Sequence, residues 1–344
     1  MKVKVAIIGC GSITEYRHAP EYANNPHAEI AAFYDPNRER ALYMASKFGG
    51  RAATDLEEIL EDERIDAISD CSTNEMHHII TSSALRHGKH VLCEKPMSIT
   101  LEGAEQVIQA FRESGKILMI DHNQRLTKAH RKVREIIRSG EFGRVLTFKT
   151  NFGHKGPEYW SANKSASTWF FKKDRSAFGV AGDLGIHKLD LIRYLLDDEV
   201  GMISAFEGAL HKKDENGNPI EVCDNMVCMI RMRSGALGTA SFSWTYYGEE
   251  DNSTTLYCER GVIKIYASAE HQIEIAGIDG EKRNYVIEPI QTNDNQSNSG
   301  VIDAFISSIV ENRSPLVTGE DGLRALQLVL AAQESATKNV AIEM

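Results

Sequence analysis

The opening stretch constrains the fold more than any other feature. Val3-Lys4-Val5-Ala6-Ile7-Ile8 is an almost unbroken apolar run, and it empties into Gly9-Cys10-Gly11 before a helical pattern starts at Ile13. A strand, a glycine turn and a helix in that order are the first half of a parallel βαβ unit. The alternation then repeats. Strands are expected over Lys2 to Ile8, Glu29 to Tyr34, Ile65 to Cys71, Lys89 to Cys93 and Ile117 to Asp121. Helices are expected over Ile13 to Asn24, from Pro36 to before Gly49-Gly50, over Asp55 to Glu61, from a cap at Asn74 through Leu85, and over Thr100 to Ser114. The implied fold class is α/β, a doubly wound parallel sheet covered on both faces.

The pattern changes past residue 122. A helix near Lys128 to Arg138 is followed by strand after strand: Arg144 to Asn151, Met202 to Leu210, Asn225 to Arg233, Leu237 to Trp244, Thr254 to Cys258, Val262 to Tyr266 and Gln272 to Ile275. Arg260-Gly261 is placed at a hairpin turn, and Val301 to Val310 and Leu323 to Thr337 are expected as closing helices. Strands that follow strands point to an antiparallel sheet. The chain of 344 residues is long enough for two cores. We divide it at 1–122 and 123–344.

Gly9-Cys10-Gly11-Ser12-Ile13-Thr14 fits a phosphate turn. Gly9 permits the tight turn, Gly11 lets the backbone approach a pyrophosphate, and the helix start at Ser12 and Ile13 offers free amides. Thr14 stands where the fingerprint's third glycine would be. Asp35 ends the second strand about 20 residues on, where an acid accepts hydrogen bonds from an adenosine ribose. Its charge favours NAD over NADP, although Arg38 and Arg40 leave NADP open. The alternative is that Asp35-Pro36 only caps a helix. Ser72, Thr73 and Asn74 end the strand at Cys71, on the sheet edge that faces a dinucleotide, and helix capping by Asn74 is an equal reading.

Two distant stretches carry candidate chemistry. Glu94-Lys95-Pro96 follows the strand ending at Cys93, and Asp183-Leu184-Gly185-Ile186-His187 sets a carboxylate and an imidazole one helical turn apart. Oxidising a secondary alcohol needs a hydride acceptor and a base for the hydroxyl proton. His187 suits the base, Asp183 can orient it or a substrate hydroxyl, and Lys95 can steady the developing oxygen charge. Singly, each has an ordinary explanation: a solvated lysine, an acid at a helix start, a histidine in an apolar core. A zinc site is not expected, because Asp183 and His187 lack a third ligand at fitting spacing.

The formal net charge of −10 argues against general affinity for nucleic acid or an anionic membrane. No run approaches the about 18 apolar residues of a membrane helix, and no leader peptide is expected. The six cysteines show no metal spacing, which fits buried, reduced thiols in a cytoplasmic protein.

Together these stretches resemble the glucose–fructose oxidoreductase/inositol dehydrogenase family (Gfo/Idh/MocA) along nearly the full chain. The matching segments are Gly9-Cys10-Gly11; Cys71-Ser72-Thr73-Asn74 with His77; Gly88 through Met97 with its Glu94-Lys95-Pro96; Gly182 through His187 with Asp190; and Val317 through Gly322. Thr14 and Thr73, the latter where a proline is common, depart from the pattern. The resemblance implies an N-terminal Rossmann domain and a C-terminal α+β domain with a large, mostly antiparallel open sheet. It also implies a bound nicotinamide cofactor, with Glu94 and Lys95 beside it, and catalytic roles for Lys95, Asp183 and His187. Sugar or cyclitol substrates and homodimers or homotetramers built through the second domain's sheet are implied as well. Of His154, Tyr159, Trp160, Asn163, Lys164, Trp169 and Tyr246, which fall where a sugar pocket would form, His154 is the substrate-binding choice. The expected activity is an NAD(P)-dependent sugar or inositol dehydrogenase. The alternatives are redox-assisted glycoside cleavage with tightly held NAD, and a non-catalytic NAD/sugar sensor.

Overall fold

The computed structural model describes residues 2–289 and 298–344. A first, parallel sheet contains β1 (Val3–Ile8), β2 (Ala28–Tyr34), β3 (Arg51–Ala52), β4 (Ala67–Asp70), β5 (His90–Cys93) and β6 (Leu118–Ile120), in the order β3-β2-β1-β4-β5-β6. The order reverses between β1 and β4, which opens a crevice at the carboxyl ends of those strands. There the ends of β1 and β4 nearly touch. Gly9 has φ +89°, and a Cβ on it would lie 2.3 Å from the Cys71 carbonyl oxygen, so only glycine fits.

The helix expected from Ile13 begins as a π-helical turn, Thr14–His18, and continues as an α-helix, Ala19–Asn24. The Thr14 hydroxyl donates to the Gly9 carbonyl at 2.5 Å and is fully buried. Threonine therefore closes the turn by a side-chain bond at the place of the third glycine. Two helix starts differ from expectation. The helix expected to start at Pro36 runs Arg38–Phe48 and leaves Pro36 outside it, with Asn37 as N-cap, its side chain accepting from the Glu39 amide. Thr73 is the N-cap of the helix Asn74–Arg86, which frees the Asn74 side chain for another contact.

The second sheet contains β7 (Val145–Gly153), β8 (Val200–Gly208), β9 (Asn225–Met232), β10 (Leu237–Ser243), β11 (Thr254–Cys258), β12 (Gly261–Ile265), β13 (Ile273–Gly277), β14 (Lys282–Tyr285) and β15 (Ile342–Glu343). Their order is β14-β13-β12-β11-β7-β10-β9-β8-β15, antiparallel throughout except for the parallel pair β7 and β10. Strict alternation along β9 buries Met226, Cys228 and Ile230 and turns Val227 and Met229 outward. Phe206 on β8 faces Val227 in register, and these residues and Leu237 are each more than half exposed.

One helix, Gly319–Lys338, serves both sheets. Near its start a Cβ on Gly322 would meet Ile120 of β6 at 2.7 Å, and near its end Ser335 Oγ accepts from the Ala205 amide of β8 at 2.9 Å. Its first turn is a capping box between Thr318 and Asp321. Asp321 also meets Arg125, whose guanidinium grips Asp190 with two bonds of 2.7 and 2.6 Å. Burial disfavours the Arg125 charge, but Asp190 and Asp321 outweigh it and raise its pKa. This clamp fixes the helix Ile186–Leu196 against the turn that follows β6.

Candidate active site

Lys95 leaves the carboxyl end of β5 and points across the crevice. Its Nζ donates to the Asp183 carbonyl at 2.8 Å and to Asp183 Oδ1 at 3.1 Å. Asp183 Oδ2 accepts from the indole N–H of Trp244 at 2.9 Å, and Trp244 is fully buried just past β10. Each carboxylate oxygen thus has a donor. Asp183 sits in a second π-helical turn, Ala181–Gly185, and this turn lies close on the sheet because Gly185 abuts the Phe242 ring of β10, where a Cβ would come within 2.8 Å.

His187 opens the helix Ile186–Leu196 and is 8% exposed. Its ring stands edge-on to His122 at 6.2 Å and lies 6.1 Å from Phe152. Nδ1 is buried without a hydrogen-bond partner. Burial, then the charge of Lys95, presses its pKa well below 6.5, so the imidazole is neutral at physiological pH and able to accept a proton. No hydrogen bond joins Asp183 to His187 among the described residues. Asp183 is committed to Lys95 and Trp244 instead.

One cleft, enclosing about 1020 Å³ including its open mouth, brings most of the expected residues together. Ser12, Ile13, Ser72, Asn74, Glu94, Lys95, His154, Asp183 and His187 all line it. Gly11 lines a neighbouring cavity that shares Ser12 and Tyr16 with the cleft, and a Cβ on it would have nothing within 4 Å. Asp35 stands behind the turn, its Oδ2 accepting from the Cys10 amide at 2.8 Å and its Oδ1 from the Asn37 amide at 2.7 Å. Each oxygen keeps a lone pair for a ribose hydroxyl. An open glycine turn, an acid behind it and an adjoining cleft lined by both Ser12 and His187 fit a dinucleotide.

The other expected contacts are distributed as follows. Ser72 Oγ donates to Asp70 at 2.6 Å, and Asn74 Nδ2 donates to the Ser176 carbonyl at 3.1 Å. Thr73 Oγ1 accepts from Arg175 at 3.4 Å. His77 bridges the Pro96 and Ser72 carbonyls, tying together the loops after β5 and β4. The 154–170 segment lines the cleft and reaches the first sheet's helices. Ser12 Oγ donates to the Trp160 carbonyl at 3.2 Å, and Arg40 donates to Asn163 Oδ1 at 2.6 Å. Trp160, Trp169 and Phe170 line the cleft as an aromatic wall, with Trp169 and Phe170 stacked at 3.9 Å. Tyr159 and Tyr246 lie outside it: Tyr159 covers Lys212, and Tyr246 meets Ser241.

Glu94 belongs to a buried charge cluster. Its Oε1 lies 3.1 Å from His18 Nε2, and Arg17 holds Asp121 at 2.7 Å beside them. His18, Glu94 and Asp121 are close enough to share an ion, but the Arg17 guanidinium already supplies positive charge to both acids. Burial opposes a charge on His18, yet Cys71, Asp121 and Glu94 outweigh it and raise its pKa well above 6.5.

Several lining or supporting residues escaped the sequence reading: Arg17, Asn123, Gln124 and Trp244. For Asn123 and Gln124 the signal was positional, two amides directly past the last parallel strand at its carboxyl edge. Trp244 had no local signal, because its role depends on β10 packing beneath Asp183.

Residues 3–122 match the family described as "Oxidoreductase family, NAD-binding Rossmann fold", and residues 130–264 match the "GFO/IDH/MocA C-terminal domain". The 1,5-anhydro-D-fructose reductase of Ensifer adhaerens is 28% identical over 334 residues, 92% of this chain and 91% of the relative. The myo-inositol 2-dehydrogenase of Thermotoga maritima is 25% identical over 99% of this chain and 98% of its own. A solved levoglucosan dehydrogenase in complex with NADH and levoglucosan superposes with a TM-score of 0.88 at 23% identity, over 100% of this chain and 99% of that one, a likeness of fold.

Proposed function

The chain belongs to the Gfo/Idh/MocA oxidoreductase family, and on that premise we propose that it is an NAD-dependent dehydrogenase acting on a secondary hydroxyl of a sugar, sugar derivative or inositol. The observation that carries the reading is the meeting of Lys95, Asp183 and His187 in a cleft continuous with the glycine-turn helix.

Bound NAD supplies the hydride acceptor. Neutral His187 takes the hydroxyl proton as the alcohol is oxidised and returns it in reduction. Lys95, braced by Asp183, donates to the reacting oxygen and stabilises its growing negative charge. Asp183 fixes the ammonium rather than the imidazole, with Trp244 holding its second oxygen. Ser12, Ile13 and Gly11 would hold the pyrophosphate, Asp35 the ribose, and Ser72, Asn74 and Glu94 would border the nicotinamide half. His154, held through Nδ1 by the Lys155 carbonyl and edge-on to Trp160, borders the substrate end.

We assign residues 1–122 to cofactor binding and 123–344 to substrate binding and assembly, with pairing through the open face of the second sheet around Phe206, Val227 and Met229. Six free cysteines favour a reducing, cytoplasmic setting, and among the described residues no helix is long and apolar enough to cross a membrane. The test is a panel of polyols and sugars followed by NADH absorbance, repeated with NADP. Net NADH formation on at least one neutral polyol is expected. Turnover with no net NADH would favour transient oxidation coupled to glycoside cleavage, and binding without any turnover would favour a sensor.

A further inference from the structure

Gln124 is held so that only one of its two amide atoms is left for a ligand. The Glu250 carboxylate can only accept, so Asn252 turns its amide nitrogen toward Glu250 Oε1 at 3.3 Å and its Oδ1 the other way. Gln124 Nε2 donates to that Oδ1 at 3.1 Å. The Asn252 backbone is pinned by Lys188, whose Nζ donates to its carbonyl at 2.8 Å. The Gln124 backbone carbonyl is fixed in turn by His130 Nδ1 at 2.7 Å. What remains is Gln124 Oε1: buried, without a partner, on a residue 3% exposed that lines the cleft. Asn123 Oδ1, one residue earlier on the same turn, is also buried and unpartnered. A polar atom left unsatisfied in a buried position costs about 1–3 kcal/mol, and a ligand that supplies a hydrogen recovers it.

The charges along the same cleft are already matched. Lys95 faces Asp183, and Arg17 faces Asp121 and Glu94. A carboxylate or phosphate next to Gln124 Oε1 would set lone pair against lone pair, and the lysine and arginine among the described lining residues, Lys95 and Arg17, are already paired. A hydroxyl brings the missing hydrogen.

We infer that Gln124 is a specificity-determining residue: its Oε1 accepts a hydrogen bond from a second substrate hydroxyl, distinct from the one oxidised, and so selects neutral polyhydroxylated substrates over sugar acids and sugar phosphates. This rests on the dehydrogenase reading above.

The experiment compares wild type with Gln124→Met, and with Gln124→Leu as a second variant should the first lose its fold. The probes are the best neutral polyol of the panel, its monodeoxy analogues, and the matching uronate and phosphate. In wild type one monodeoxy analogue is expected to lose at least about tenfold in kcat/KM, and the uronate and phosphate to fall as far. In Gln124→Met the KM for the parent polyol rises about tenfold with a smaller change in kcat. The penalty for that one analogue disappears, and the NADH dissociation constant is unchanged. A variant that discriminates among the deoxy series as wild type does overturns the inference, as does a wild type that prefers the uronate or phosphate. Calorimetric titration of the same series into NADH-saturated protein reads this selectivity without turnover. Failure of the redox reading therefore leaves the binding comparison to decide on Gln124.

Discussion

Lys95 and Asp183, 88 residues apart in the chain, meet through two hydrogen bonds from one ammonium, 2.8 Å to the backbone oxygen and 3.1 Å to Oδ1. The parallel sheet supplies one and a π-helical turn resting on the second sheet supplies the other, so the cation exists as a positioned group only when both sheets are docked. Replacing Lys95 by methionine keeps most of the volume and removes the donor. Turnover should fall by about a thousandfold while the NADH dissociation constant moves by less than about threefold. Steady-state kinetics beside fluorescence titration of NADH checks this, and unchanged turnover would remove Lys95 from the chemistry.

The same substitution should report on His187. Its pKa is held well below 6.5 first by burial and then by the Lys95 charge. Removing that charge takes away the largest of the depressing charges, so the titration of the ring moves upward in Lys95→Met. Histidine ring resonances followed by NMR from acid to neutral pH read the shift. An identical midpoint in both proteins would mean that Lys95 does not act on the imidazole.

Lys188, next in sequence, is fully buried, and burial lowers its pKa from 10.5 to about 7. The unfolded chain holds the proton up to about pH 10.5, whereas the folded chain releases it near pH 7, so folding in this window expels a proton and stability rises with pH. Below about pH 7 both states are protonated and the penalty is constant, on the order of a few kcal/mol. In Lys188→Met that dependence should vanish. The difference in Tm between variant and wild type should shrink from about pH 7 to 10 and stay flat below. Parallel curves throughout would show that the Lys188 amine releases its proton at the same pH in the folded and unfolded chain.

Asp35→Asn keeps an acceptor for the Cys10 amide and removes the negative charge that a 2′-phosphate would meet. With Arg38 and Arg40 nearby in the chain, the ratio of kcat/KM for NADP to that for NAD should rise at least about tenfold. Cofactor kinetics at one fixed substrate concentration gives the ratio directly. No change would place the discrimination elsewhere.

Phe206 and Val227 sit opposite each other on the open sheet face. A glutamate at Phe206 would place charge in the centre of any apolar contact between two such faces. The variant should keep the wild-type melting behaviour as a monomer and lose self-association by light scattering. An unaltered mass would exclude this face as the contact.

Periodicity and punctuation made the parallel half legible. Glycine turns mark its strand ends, and the carboxyl edge of a doubly wound sheet is a known place to look for a ligand, so Ser12, Asn74 and Lys95 could be named in advance. The second half was harder. β14 and β15 are four and two residues long and carry too little pattern to register, as does the two-residue edge strand β3 of the first sheet. The parallel pairing of β7 with β10 is a matter of topology, which strands in series do not reveal. Trp244 and Gln124 show a further limit. Each acts through a partner 61 or 128 residues away, and nothing local in the sequence distinguishes a tryptophan that holds a carboxylate from one that fills a core.

The Trp160 carbonyl rests on the hydroxyl of Ser12, and Asn163 receives Arg40, so a loop from one half of the molecule is latched to the phosphate turn of the other. Ser12 cannot offer that hydrogen to a pyrophosphate and to Trp160 together. A dinucleotide that claimed the Ser12 hydroxyl would release the Trp160 carbonyl, whereas one held by the Ser12 amide alone would leave the two halves fastened.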